Sequence, residues 1–213
     1  MGAYFLTKEL VFPPVENADE EGLLAVGGDL SPERLLLAYK SGIFPWFNEG
    51  SQILWWSPNP RMVLFPQDIK ISKSMRKVLN ENQFRITKNQ CFKAVLHQCA
   101  TVKRDGQEGT WITENMTNAY VKLHELGKAV SYEVWENSQL VGGLYGIDLG
   151  AVFCGESMFS MVSNASKFAF IKLAEELQEK EYKLIDCQMY TPHLESLGAR
   201  EIERIEFLEY LKG

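Results

Sequence analysis

Lys183-Leu184-Ile185-Asp186-Cys187-Gln188 follows a long helix-patterned segment, residues 164–180, and reads as a short strand. Side chains alternate across a strand, so Leu184, Asp186 and Gln188 are expected on one face and Ile185 and Cys187 on the other. An acid and an amide then stand side by side at the C-terminal end of a mostly apolar strand. Burying an ionised carboxylate is costly unless it is paired or used. One reading is an Asp that caps the next turn and a Gln that ties down a loop; the other is chemistry. A second polar interruption, Gly155-Glu156-Ser157, is expected at the end of another apolar strand. Two such interruptions can converge in one cleft.

Upstream of this pair the pattern predicts a strand meander. Residues 130–135 alternate, Asn137-Ser138 turns, residues 139–149 form a second strand, and residues 151–156 a third. Gly142, Gly143 and Gly146 inside a strand mark a bulge or a close approach by another backbone or a ligand. Helices are expected at 72–79, 91–101 and 114–126, the last capped by Thr113, with a strand at 84–87. After Gln188, residues 193–197 read as a short helical piece stopped by Gly198, and residues 199–205 as a further strand. This order predicts an α+β fold whose residues 62–213 form a mixed sheet with flanking helices.

Residues 1–61 read as a smaller, aromatic-rich domain. Residues 1–22 are expected to be irregular, and Gly27-Gly28 a tight turn. Ser31 and Pro32 are an N-cap and first helical residue, Leu35, Leu36 and Tyr39 an apolar stripe, and Gly42 a stop. Three of the five tryptophans, Trp46, Trp55 and Trp56, lie in the loop that follows. They form either a compact core of bulky side chains or a stacking platform for a base. Trp111, before a helix start and beside basic residues, is a second stacking candidate with the same alternative. Pro58-Asn59-Pro60 reads as a hinge or an entry into the second domain.

The totals narrow the function classes. No run of 18 apolar residues and no basic-then-apolar leader is present, so neither a membrane span nor a secretory signal is expected. Cys91, Cys99, Cys154 and Cys187 form no CxxC pair and His97, His124 and His193 are scattered, which argues for reduced thiols in a cytoplasmic protein and against a metal site. The net charge is −6, yet residues 70–104 carry nine basic residues against the single acid Glu81. That segment is therefore +8 and the remainder −14. Such segregation suits a polyanion-binding surface that includes Lys70 and, on or near one face of the helix at 72–79, Lys73, Arg76 and Lys77; the alternative is a solvated basic helix face.

A strand meander, a helix and a further strand resemble the acyltransferase fold that uses coenzyme A. The loop at the helix start, residues 157–167, contains no glycine, so the pyrophosphate cradle is missing and coenzyme A is disfavoured. An aminoacyl-tRNA donor reconciles the acyltransferase pattern with a basic surface and aromatics. The strings that begin at Gly22 (GLLAVGGDLSP), Gly42 (GIFPWF), Trp55 (WWSP), Glu108 (EGTWIT), Phe153 (FCGESMFS), Asn164 (NASK) and Leu184 (LIDCQ) identify the family. They resemble the bacterial leucyl/phenylalanyl-tRNA–protein transferases across residues 22–211.

That resemblance implies transfer of Leu or Phe, and less readily Met, from Leu-tRNA, Phe-tRNA or Met-tRNA to the N-terminal Arg or Lys of acceptor proteins, marking them for degradation. It implies a small N-terminal domain, a catalytic domain of the N-acetyltransferase type, and no metal or organic cofactor. Asp186 and Gln188 are implied as the catalytic pair, with Asp186 either accepting a proton or orienting the attacking amine. Gln188 would position amine and ester carbonyl, and Glu156 would hold Gln188. Trp46 and Trp111 are implied at the terminal adenosine. Leu144, Phe153, Met158, Phe170, Leu173 and Ile185 are implied in or near the aminoacyl side-chain pocket. Two readings compete: a coenzyme A-dependent N-acyltransferase, and a non-catalytic RNA-binding module that has no need of Glu156, Asp186 and Gln188. A third is a tRNA-dependent transferase acting on another amine, such as a cell-wall peptide.

Overall fold

The computed structural model describes residues 3–102 and 112–212. The strands are β1 (Tyr4–Leu6), β2 (Leu23–Gly27), β3 (Phe44–Pro45), β4 (Leu54–Trp56), β5 (Arg61–Leu64), β6 (Arg85–Lys88), β7 (Ala129–Glu136), β8 (Gln139–Asp148), β9 (Val152–Ser160), β10 (Leu184–Gln188) and β11 (Arg200–Ile202). The helices are α1 (Pro32–Lys40), α2 (Lys73–Asn80), α3 (Phe92–Thr101), α4 (Glu114–Glu125), α5 (Ala165–Glu179), α6 (Pro192–Ser196) and α7 (Arg204–Leu211).

Local chemistry sets most helix starts. The Ser31, Ser72 and Thr113 hydroxyls accept the backbone N–H three residues on, from Arg34, Met75 and Met116. Each supplies an acceptor to an otherwise orphaned donor, worth about 1 kcal/mol. α5 starts differently: Asn164 is left-handed (φ 71°) and its side chain makes no capping bond.

Two sheets result. The small one runs β1-β2-β4-β3 and the large one β11-β5-β10-β9-β8-β7-β6. In the large sheet the β7-β8-β9 meander is antiparallel, and α5 crosses over to bring β10 parallel to β9. This is an α+β chain with a mixed sheet, and meander, helix and parallel strand follow in the order the sequence predicts. One face of the sheet packs on α5 through Leu144, Phe153, Phe168, Leu173 and Ile185. The other face packs on α3, α4 and the small sheet in a core shared by Trp55, Tyr120, Tyr145 and Phe207.

The glycines in β8 serve close approach. A Cβ on Gly142 would sit 2.6 Å from Ala165 Cβ at the head of α5, and one on Gly146 would sit 2.3 Å from Cys154 O. Three expectations need correction. Residues expected to be irregular contain β1, which pairs parallel with β2, and Gly27 ends that strand. The third meander strand continues to Ser160, because β8 is long enough to pair Gly142 with Ser160. Glu156 therefore lies inside β9 and not at its end. The strand expected at 199–205 stops at Ile202, which pairs with Arg61 at the start of β5; no partner remains and the chain turns into α7. The Pro58-Asn59-Pro60 run is pinned at Asn59, whose side chain accepts from Arg204 N (2.7 Å) and donates to Glu203 (3.1 Å).

Candidate active site

β9 and β10 pair only from Leu184↔Val152 to Asp186↔Cys154. Beyond that point they part, and a cavity of about 630 Å³ opens where Glu156 and Gln188 diverge. Phe44, Pro45 and Trp46 of the small-sheet region roof it, while Leu144, Met158, Phe170 and Leu173 form its apolar wall. Thr191, His193 and Leu194 of α6 and its cap complete the rim. A concave, mostly apolar space with a few convergent polar groups is the ordinary form of a small-molecule subsite.

The expected alternation along β10 breaks at Cys187. Against β5, Asp186 pairs with Val63 and Gln188 with the adjacent Met62, so Cys187 is the extra residue of a bulge. Cys187 and Gln188 both line the cavity, whereas Asp186 does not. Asp186 instead is 1% exposed and receives two hydrogen bonds from Arg61, Nε to Oδ1 (2.8 Å) and Nη2 to Oδ2 (2.7 Å). Removing one partner of such a buried bidentate pair leaves an uncompensated charge, at a cost of about 3–5 kcal/mol.

Gln188 adopts a left-handed backbone (φ 58°), and its N–H donates to Asp186 Oδ1 at 3.0 Å. Its side-chain Nε2 faces Glu156 Oε1 at 3.4 Å. The other Glu156 oxygen accepts from the Tyr120 hydroxyl at 2.7 Å, and Tyr120 is in turn hydrogen-bonded to Tyr39. Burial pushes the Glu156 carboxyl up to about 7, against the lowering effect of the two tyrosine hydroxyls. The same burial, with the Glu156 charge, raises both tyrosines well above their usual range, so they act as neutral donors.

The structure thus brings Trp46, Leu144, Glu156, Met158, Phe170, Leu173 and Gln188 to one cavity. Trp46 is 38% exposed at its mouth, with its carbonyl accepting from Trp56 Nε1 (2.7 Å). Phe153 and Ile185 lie near the cavity and not on its surface. They sit opposite one another on β9 and β10, fully buried beneath α5, and support the wall without lining it. Trp111 lies outside the described residues, as do Lys103 and Arg104. Lys70, Lys73, Arg76 and Lys77 are exposed on and before α2, but Lys88 is drawn out of the basic set by Glu176 at 2.8 Å.

Three residues of the site escaped sequence reasoning. Arg61 had one signal, a lone cation at the head of the apolar strand β5 that could answer the lone acid in β10. Tyr39 passed as part of an apolar stripe, and Tyr120 drew no reading of its own within the helix expected at 114–126. Among the described residues no three His, Cys, Asp or Glu groups are placed to hold a metal ion, and no helix is long and apolar enough to cross a membrane.

Comparison with known proteins agrees with the motif reading. Residues 63–212 match the family model for leucyl/phenylalanyl-tRNA protein transferase, and residues 28–59 match the model of its N-terminal domain. A leucyl/phenylalanyl-tRNA–protein transferase from Flavobacterium johnsoniae is 65% identical over 99% of both chains. Another from Syntrophus aciditrophicus is 58% identical over 97% of this chain and 87% of its own. A GCN5-related N-acetyltransferase from Kribbella flavida aligns over 80% of this chain and 60% of its own, with 9% identity and a TM-score of 0.38, too distant to carry argument. The chain belongs to the leucyl/phenylalanyl-tRNA–protein transferase family and is an aminoacyltransferase.

Proposed function

We propose that this enzyme moves Leu or Phe, and less readily Met, from aminoacyl-tRNA to the N-terminal Arg or Lys of acceptor proteins, marking them for degradation in the cytoplasm. Residues 1–61 and 62–213 act as two domains that share the cavity. The observation that carries this reading is an apolar cavity whose floor ends on Glu156 and Gln188. Its wall of Leu144, Met158, Phe170 and Leu173 suits an apolar side chain unbranched at Cβ, as in Leu, Phe and Met, and shape discriminates there by roughly 1–3 kcal/mol per methylene. Trp46 at the mouth suits the terminal adenosine, and the exposed cations of α2 suit the tRNA backbone.

The acceptor's neutral α-amine attacks the ester carbonyl carbon. A C–N bond forms, the C–O bond to the terminal ribose breaks, and the amine's proton ends on the departing ribose oxygen. The ester is already activated, so positioning supplies much of the acceleration. Gln188 holds the amine. Both oxygens of Asp186 are bound to Arg61 away from the cavity, which favours the orienting role for Asp186 over proton acceptance. Glu156 lines the cavity with a carboxyl near 7, which suits it to take and return a proton at neutral pH.

Transfer of radiolabelled Phe from Phe-tRNA to a protein beginning with Arg tests this reading. Strong wild-type transfer is expected, falling about 100-fold in Gln188→Ala while Phe-tRNA still binds. No transfer by a folded, tRNA-binding wild-type protein overturns the reading and directs attention to other acceptor amines.

A further inference from the structure

Arg61 is 1% exposed, and nothing in its position suggests contact with a substrate. Its guanidinium nevertheless touches what orders the cavity floor. Nε and Nη2 grip Asp186, and Nη1 donates to Gly42 O at 3.2 Å. Its carbon centre stands 4.9 Å from the Phe44 ring and 4.7 Å from the Phe207 ring. Three segments distant in sequence therefore hold one planar cation in place: the turn after α1, strand β10 and helix α7.

Asp186 Oδ1 carries two hydrogen bonds, one from Arg61 Nε and one from Gln188 N. The second spans the β10 bulge at Cys187 and anchors the start of the turn around Gln188. A left-handed backbone is uncommon for a residue with a side chain and persists only where its surroundings over-determine it. Two hydrogen bonds restrain Gln188: Met189 N–H to Cys187 O at 2.7 Å, which is local backbone, and Gln188 N–H to Asp186 Oδ1, whose carboxylate is held by Arg61 and so ties the turn to the rest of the fold. A loosened carboxylate would release the Gln188 N–H, and the chain could relax to ordinary extended geometry. Relaxation of the backbone turns the side-chain amide away from Glu156.

We propose that Arg61 is a positioning residue for the transfer reaction: acting through Asp186, it locks Gln188 in the left-handed conformation that aims its amide into the cavity. The proposal rests on the reading of Gln188 as the amine-holding group. Lysine at this position cannot reproduce the effect, because a point charge provides neither the two-pronged grip nor the flat face that packs over Phe44 and Phe207.

A double-mutant cycle of Arg61→Lys and Gln188→Ala, measured by steady-state Phe transfer well below the melting temperature of each variant, tests it. Arg61→Lys is expected to lower kcat roughly tenfold or more in the wild-type background, and less than about twofold when Gln188 is already Ala. Multiplying effects would mean that Arg61 serves the fold at large, and overturn the proposal. So would an unchanged kcat in Arg61→Lys. A silent Gln188→Ala removes the amine-holding reading and the proposal together, which separates the two failures. If Arg61→Lys does not fold, Phe207→Leu replaces it in the cycle, since it keeps the guanidinium but removes the ring that packs one of its faces, loosening its aim at Asp186. Its expected several-fold loss of kcat must likewise disappear in the Gln188→Ala background.

Discussion

Two glutamates on the same large-sheet scaffold have been pushed in opposite directions. Glu156, on the cavity floor, faces the Tyr120 hydroxyl and the Gln188 amide, and burial lifts its carboxyl to about 7. Glu176, on the outer part of α5, is also partly buried, and that burial alone would raise it. Hydrogen bonds from Lys180, Lys88 and Tyr132 outweigh burial and bring its carboxyl down to about 2. The difference is the supply of cations. Glu176 has two ammonium groups within 2.8 Å, so it is a permanent anion that ties α5 to β6 and β7. Glu156 has neutral hydroxyl and amide partners, so its proton is exchangeable near neutrality. One carboxylate is spent on stability and the other is held ready for chemistry.

Glu156→Gln presses hardest on this contrast. It should lower kcat/KM by about 30-fold at pH 8 and remove an inflection near pH 7 from the pH–rate profile. The stability sign follows from the raised carboxyl. Folding favours protonated Glu156, so the wild-type protein loses stability as pH rises from about 4.5 to about 7, and the variant should lack that loss. Denaturant midpoints across this window check it. A rate profile that keeps its inflection near 7 in the variant assigns that inflection to the acceptor amine.

Glu176→Gln is the reciprocal test. Its lowered carboxyl contributes stability that is present above about pH 4.5 and is lost as pH falls toward 2. With about a quarter of the side chain exposed, water screens the pair and the expected loss is about 1–2 kcal/mol at pH 7. That difference should fade below pH 4.5, with Phe transfer unchanged throughout. A large activity loss in a stably folded Glu176→Gln protein would break the division of labour.

The smallest effect is expected furthest from the cavity. Arg76→Glu with Lys77→Glu reverses two exposed cations and should weaken tRNA binding about tenfold at low salt, and less at 0.2 M. Equal affinity of wild type and variant at low salt would reduce α2 to a solvated helix face.

Much of the scaffold was legible. Helix starts at Ser31, Ser72 and Thr113, the Asn137-Ser138 turn and the α5–β10 sequence all depend on residues a few positions apart. The candidate site was legible as residue types and only partly as geometry. Asp186 and Gln188 were rightly marked as polar breaks in an apolar strand, but alternation put them on one face. The bulge at Cys187 separates them, and a bulge depends on how β5 sits beside β10. Phe153 and Ile185 were implied in or near the pocket by the family resemblance, and their side chains lie near it, in the core under α5. Helix α7 was missed because the alternation of residues 199–205 gives no sign that the neighbouring strand ends at Arg61.

By itself the chain's sequence determined the α+β order, the caps, the glycines that admit close approach, and the family. These follow from hydrogen bonds and steric limits between near neighbours, which any copy of the local sequence carries. Tertiary structure alone decided that Arg61 meets Asp186 across 125 positions and that Tyr39 meets Tyr120 across 81. It also decided that β9 and β10 part where Glu156 and Gln188 need room. A buried charge or hydroxyl must find a partner somewhere in the fold, and which partner it finds is set by the packing of sheets and helices, not by distance along the chain.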